Sequence, residues 1–371
     1  MSKKIKVTYV VSRIDKALSF EWIAIHMNKS LYDLEFILLN ENKSDFAQFC
    51  KQNNIACKEW YLQGKCSYPR IILKLIFHFV VHRPKYVHAH LFDAALTAMI
   101  AAKIAFIPNR IYTRHHSTYH FDYHPNSVKW DLKCNQLSTK IIAISENVKN
   151  VLIERENVNP QKIVLIHHGI DIHSFINPDK QELHHIKQVY NPTGKAPVIG
   201  VIARLTELKG TQYIIAAFER LLLKQPNALL LLFNAKGELK NTIEEMLNRL
   251  PASSWKMTEF ENNITSLYHI FDYYIHVPIN KEIEAFGQTY IEALAAGTPS
   301  IFTLSGVAPE FIIDHHNAIV VPFCDSEAIY MASNELTASD VLRENIIRNG
   351  QQDIQQFSLS KMMTKLEQLY V

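Results

Sequence analysis

Asn280-Lys-Glu-Ile-Glu284-Ala-Phe-Gly287-Gln-Thr-Tyr-Ile-Glu292-Ala-Leu-Ala-Ala-Gly297-Thr-Pro-Ser300-Ile-Phe302 reads as a loop, a helix and a strand in immediate succession. Gly287 suits a helix start, Gly297 a left-handed helix end, and Pro299 the entry to the next strand. Glu284 then lies in the loop and Glu292 on the helix. Backbone N–H groups near Gly287 make the helix start a ready anion site, and each carboxylate can accept hydrogen bonds from hydroxyls. On spacing alone, both glutamates read equally well as solvated helix charges.

Working outward, the same alternation of short apolar runs and longer amphipathic stretches fills the chain. One series comprises Val7–Val11, Leu34–Leu39, Tyr86–Ala89, Ile111–Thr113, Ile141–Ile144 and Ile163–Ile166. A second comprises Val198–Ile202, Leu229–Phe233, Tyr273–Val277, Ser300–Phe302 and Ile319–Val321. Such alternation predicts parallel sheets covered on both faces. At 371 residues, two domains are expected. The breaker cluster around Pro178 and Asn191-Pro192-Thr193-Gly194 separates the two series. The expected organisation is an N-terminal domain over 1–178, a linker over 179–195, a C-terminal domain over 196–352, and a terminal helix over 353–371 that can return to the first domain. The fold class is α/β, with two Rossmann-like parallel-sheet domains facing a central cleft.

Composition narrows the class further. A 48% hydrophobic and 20% charged chain is globular, and a net charge of +3 spread along it argues against a nucleic-acid track. Five cysteines without CxxC spacing indicate neither a disulfide framework nor zinc and fit a reducing cytoplasm. No apolar run reaches the ~20 residues needed to span a bilayer. Pro69–Val80 is basic and amphipathic, which leaves peripheral contact at the cytoplasmic face of a membrane open. A core helix burying Ile72, Leu75, Ile76, Phe79 and Val80 is the competing and favoured reading.

A second chemical signal is Val201-Ile-Ala-Arg204-Leu-Thr-Glu-Leu-Lys209-Gly210, where a buried strand ends and two cations arrive in one loop. Arginine's planar fork and lysine's compact ammonium both suit phosphate oxygens, although a basic loop is also ordinary surface. With Glu284 and Glu292, this stretch resembles the retaining glycosyltransferases of family four, which have the GT-B fold and carry a Glu-x7-Glu motif. Glu-Ala-Phe-Gly, Glu-Ala-Leu-Ala-Ala-Gly-Thr-Pro and Gly306-Val-Ala-Pro-Glu310 are similar to the family as well, so that most of 197–325 shares in the resemblance. It implies Arg204 and Lys209 as diphosphate ligands, Glu292 on the ribose and Glu284 on the hydroxyls of the transferred sugar. Phe286, Gly287, Gln288 and Thr289 complete the implied donor site.

The first half resembles the family more weakly, through Tyr86-Val-His88-Ala-His90, Ile142-Ala-Ile144-Ser145-Glu-Asn-Val-Lys149 and His167-His168-Gly169-Ile170-Asp171. Ile111-Tyr-Thr-Arg114-His115-His116-Ser117 is similar to the strand end where the family places a histidine facing the donor sugar. His115 is aligned with it, and His116 is the alternative. The first strand departs from the family, which leads there into a Gly-Gly turn. This chain reads Ser12-Arg13-Ile-Asp15-Lys16, and Arg13, Lys16 and His116 become candidate acceptor contacts. The density of His115, His116, His120 and His124 invites a metal reading, but no cysteine is near and no Asp-x-Asp occurs, so no metal is expected.

The resemblance implies metal-independent, retaining transfer of a hexosyl-type sugar from a UDP- or GDP-linked donor to a sugar or lipid-linked acceptor, without a cofactor. Bacterial-type polysaccharide, lipopolysaccharide or glycoconjugate synthesis is the expected setting. The alternative is a catalytically silent nucleotide-sugar-binding subunit of a glycosylation complex. A dinucleotide oxidoreductase is disfavoured by the lack of GxGxxG.

Overall fold

The computed structural model describes residues 4–371, which form two compact units. One runs to Gly169 and takes in Leu359–Val371, and the other is Ile170–Ser358.

The first unit holds seven parallel strands: β1 (Ile5–Ser12), β2 (Tyr32–Asn40), β3 (Ala56–Tyr61), β4 (Tyr86–His90), β5 (Asn109–Arg114), β6 (Lys140–Ala143) and β7 (Ile163–Leu165). Their order is β3-β2-β1-β4-β5-β6-β7. The second holds β8 (Val198–Ile202), β9 (Leu229–Phe233), β10 (Trp255–Thr258), β11 (Tyr273–His276), β12 (Ser300–Phe302) and β13 (Ile319–Val320), ordered β10-β9-β8-β11-β12-β13 and likewise parallel. The central strands are almost continuously buried, as expected where helices cover both faces: every residue of β4, β8 and β9 is buried. In each sheet the strand order reverses once, between β1 and β4 and between β8 and β11. Loops leaving the carboxyl ends of such neighbours diverge and open a crevice.

Each unit has its own core. Val7, Tyr9, Phe36, Leu38 and Phe46 anchor the first, and Val201, Ile214, Leu230, Leu232 and Ile301 the second. The helix Leu359–Leu369 packs on the first through Leu359, Met362, Met363 and Leu366. Beyond it Tyr370 is fully buried, with its hydroxyl 2.6 Å from that of Tyr9.

Three expectations are amended. The division falls between Gly169 and Ile170, and the stretch 179–195 carries the helix Lys180–Tyr190, capped by Asp179 and belonging to the second unit. On the helix Tyr68–His82 the buried face is Ile71, Leu75, His78 and Phe79, while Val80 points outward. No helix among the described residues is long and apolar enough to cross a membrane.

Candidate active site

In the second unit the switch point brings the two chemical signals together. Gly210 follows a 3-10 turn, Glu207–Lys209, at φ 70°, and a Cβ there would lie 2.1 Å from the carbonyl oxygen of Val277. Only glycine lets this loop press against the end of β11, and Lys209 is carried with it. Its ammonium reaches the Glu284 carboxylate, which is also 3.4 Å from His276 Nε2. His276 ends β11, and its ring packs edge-on against Tyr290.

The Asn280–Gly287 loop is clamped from the other side. Gly306 (φ 63°) lies so close that a Cβ would meet the Phe286 carbonyl oxygen at 2.7 Å and Glu284 Cβ at 2.8 Å. Val307 N–H donates to Phe286 O (3.0 Å) and Glu284 N–H to Ser305 Oγ (3.3 Å). Glu284 is therefore buried and fixed. Burial opposes its ionisation, but Lys209 and His276 outweigh burial and hold the carboxyl well below the usual carboxylate range. His276 is pushed down by burial, which Glu284 offsets in part.

Gly287, at φ 84°, opens the helix Gln288–Ala295, whose first turn holds Gln288 and Thr289. Glu292 is buried one turn on, accepting from Tyr268 Oη at 2.8 Å and Gln288 Nε2 at 2.9 Å. Burial raises its pKa, and those two donors oppose the rise. Arg204 is exposed and pairs with no carboxylate among the described residues. The Arg204–Thr206 loop is itself held by Lys236 and Gly237: Leu205 N–H donates to Lys236 O at 2.9 Å, and a Cβ on Gly237 would strike Leu205 O at 2.4 Å. Of these partners, the sequence reading missed His276 and Tyr268. A histidine closing a buried strand beside the loop was the available signal for the first, and Tyr268 had none.

In the first unit, histidines from three strand ends converge. His90 Nδ1 lies 3.1 Å from His115 Nε2, and the His115 ring stacks on His168 at 5.4 Å. They line a small pocket of about 40 Å³ with Ser19, Phe20 and Thr113. Burial, with His168, His116 and His88 nearby, pushes His115 well below the ordinary histidine value, so it is neutral at pH 7. His88 beneath is fully buried, its nitrogens on Tyr370 Oη (2.5 Å) and Thr113 Oγ1 (2.8 Å).

His116 turns away from this group. It and His120 both reach Asp131 Oδ2, at 3.2 and 2.6 Å, while Arg114 approaches Oδ1 at 3.4 Å and pairs with Glu156. Arg114, His116, His120 and Asp131 line a second cavity of about 200 Å³, bounded also by Leu91, Phe92 and Tyr119. His116, His120 and Asp131 have the composition of a metal triad, but the guanidinium on the same carboxylate already supplies a positive charge. Arg13, standing where the resemblance expects glycine, nevertheless takes the left-handed conformation (φ 53°). Its guanidinium is engaged by Asp93 and, at 3.0 Å, by Glu41. Lys16 is exposed.

Comparison with known proteins follows this division. Residues 184–353 match the model for glycosyl transferases group 1, and residues 50–174 match that for glycosyltransferase family 4. Together they take in about four-fifths of the chain. The chain belongs to the family-four glycosyltransferases. This glycosyltransferase is 27% identical over 317 residues to the capsular polysaccharide biosynthesis glycosyltransferase CapM of Staphylococcus aureus, covering 81% of this chain and 80% of that one. It is 27% identical over 179 residues to a GDP-mannose-dependent phosphatidylinositol monomannoside mannosyltransferase of Mycolicibacterium smegmatis, a match of 46% of either protein. Its fold superposes on Anabaena HepE in complex with UDP-glucose with a TM-score of 0.84 at 18% identity, covering 98% of both chains. A glycosyltransferase from Rickettsia africae gives 0.79 at 21% identity, covering 99% of this chain and 98% of that one. The two-sheet architecture is that of GT-B glycosyltransferases.

Proposed function

We propose that the chain transfers a sugar from a UDP- or GDP-linked donor to an acceptor hydroxyl, with retention at the anomeric carbon and without a metal. The observation that carries this reading is the cluster at the β8–β11 switch point, where Lys209, Arg204 and the start of the helix Gln288–Ala295 adjoin two buried glutamates with different partners. In the reaction, the bond from the anomeric carbon to the diphosphate oxygen breaks, and that carbon bonds to the acceptor oxygen. The acceptor's proton passes to the departing diphosphate or to solvent. The barrier falls mainly through stabilisation of the charge growing on the diphosphate, which Lys209 and the helix start supply at fixed positions and to which the exposed Arg204 adds. Ionised Glu284 pairs with Lys209, and its carboxylate accepts from sugar hydroxyls. Glu292, fixed by Tyr268 and Gln288, accepts from the ribose. His115, neutral, serves the reacting sugar from the first unit, and Arg13, Lys16 and His116 contact the acceptor.

The acceptor class, a sugar or lipid-linked sugar of surface polysaccharide or glycoconjugate synthesis, is carried over from relatives such as CapM. The test is incubation of the purified chain with UDP- and GDP-sugars and a panel of lipid-linked and free sugar acceptors. Product with an anomeric configuration matching the donor by NMR supports the reading. Tight nucleoside diphosphate binding with neither transfer nor donor hydrolysis would convert the protein into a silent binding subunit.

A further inference from the structure

The helix Tyr68–His82 is apolar on two faces, and only one is used by the core. Ile71, Leu75 and Phe79 are buried at 1% exposure or less. On the opposite side Leu73 is 68% exposed, Phe77 72%, Val80 48% and Val81 57%. At 100° per residue, these four with Arg70 and Lys74 occupy an arc of roughly 120°. The next helix, Phe92–Ile104, packs beside it and ends in Ile104 and Phe106, the latter 91% exposed on a left-handed turn. The turns that follow the two helices are neighbours. β4 and β5 pair Tyr86 with Asn109, and the Asn109 amide donates to Lys85 O at 3.0 Å. The six exposed apolar residues thus share one surface region of the first unit.

The charge this segment exposes has one sign. Between Glu59 and Asp122 the sequence contains a single acid, Asp93, which is buried beneath Arg13 and Tyr68. The same segment exposes Lys65, Arg70, Lys74, Arg83, Lys85 and Lys103. Two copies of the chain meeting through this face would oppose six cations to six. An anionic lipid surface complements both features, because long basic side chains reach phosphates while apolar neighbours enter the acyl boundary. The helix has fifteen residues, short of the ~20 that span a bilayer, so it lies in the interface plane.

We propose that this face docks the protein on anionic membranes, with Leu73, Phe77 and Val81 dipping below the headgroups and Arg70, Lys74 and Lys103 on the lipid phosphates. The inference is independent of the donor site, and its failure leaves nucleotide titrations untouched. Where the acceptor is lipid-linked, the same face holds the enzyme at the surface that carries it.

The test is co-sedimentation of the full chain with vesicles of equal parts phosphatidylglycerol and phosphatidylcholine, and with phosphatidylcholine alone. Binding to the anionic vesicles should be strong and weaken with salt, and binding to neutral ones should be slight. Leu73→Ser/Phe77→Ser should weaken anionic-vesicle binding at least tenfold. Lys74→Gln and Lys103→Gln should each weaken it about fivefold, with unchanged thermal melting and nucleoside diphosphate affinity in all three. Three results overturn the proposal: no binding to anionic vesicles, equal binding to both compositions, or wild-type binding by the Leu73→Ser/Phe77→Ser variant. A concentration-dependent dimer in sedimentation velocity that this variant abolishes would assign the face to a second copy instead.

Discussion

Replacing each glutamate of the donor cluster by glutamine should separate their roles, because the two carboxylates are held differently. Glu292 uses one lone pair of each oxygen, on Tyr268 and on Gln288. In Glu292→Gln one oxygen becomes an amide that faces another donor, and the charged acceptor for the ribose is lost. A hydrogen bond to a charged group contributes about 1.5–3 kcal/mol, so nucleoside diphosphate and intact donor should both bind roughly ten- to 150-fold more weakly. Glu284 is paired to Lys209, and its removal frees a cation and deletes an anion near the diphosphate. At an effective dielectric of about 20 and a separation of about 8 Å, that deletion is worth ~2 kcal/mol before screening and side-chain relaxation. Glu284→Gln should therefore bind nucleoside diphosphate as well as wild type or up to about tenfold more tightly, yet lose intact-donor affinity and transfer rate. Breaking a buried ion pair also costs about 3 kcal/mol of stability, so calorimetry is run below the lowered melting temperature. A Glu284→Gln variant that loses nucleoside diphosphate as severely as Glu292→Gln would refute the assignment.

Other expectations are more compact. His115→Ala should cut transfer far more than nucleotide affinity, with His116→Ala affecting it less; equal losses of binding and turnover would remove His115 from the chemistry. Adding a chelator should leave donor affinity by calorimetry unchanged, and a loss restored by manganese or magnesium would contradict the Arg204–Lys209 reading. Gly210→Ala should lower nucleoside diphosphate affinity at least tenfold, because the new Cβ collides with Val277 O and moves Lys209; wild-type affinity would show that the loop's close approach is dispensable. Acid should destabilise the first unit through its buried histidines. Burial pushes His88 down to about 3 and His116 and His168 to about 4, so the unfolded chain takes up protons near pH 6.5 that the folded one refuses. That stability is present above about pH 6.5 and falls by at most ~2 kcal/mol per histidine by pH 5. Urea titrations at pH 7 and pH 5 measure the difference, and a flat profile would mean that the histidines charge freely in the folded state.

Local pattern carried much of this protein. Eleven strands are readable from runs of apolar residues, because a strand covered on both faces needs only its own sequence to announce it. The two that escape, β3 and β10, are sheet edges whose residues Cys57-Lys58-Glu59-Trp60 and Lys256-Met257 are half-buried or exposed. Gly287, Gly297 and the spacing from Glu284 to Glu292 are likewise local, since backbone conformation and helix periodicity act over a few residues. What no local pattern contains is partnership. Lys209 and Glu284 lie 75 residues apart and meet because the sheet places β8 beside β11, while Tyr268 and Glu292, 24 apart, are folded together from the two sides of β11. Arg13 meets Asp93 for the same reason at β1 and β4, and so a side chain that reads as a free cation is held, half exposed, in an ion pair. The helix Tyr68–His82 shows the limit most directly. Its apolar residues surround the axis, and periodicity cannot say which arc the core takes until the neighbouring helix and sheet have covered one of them.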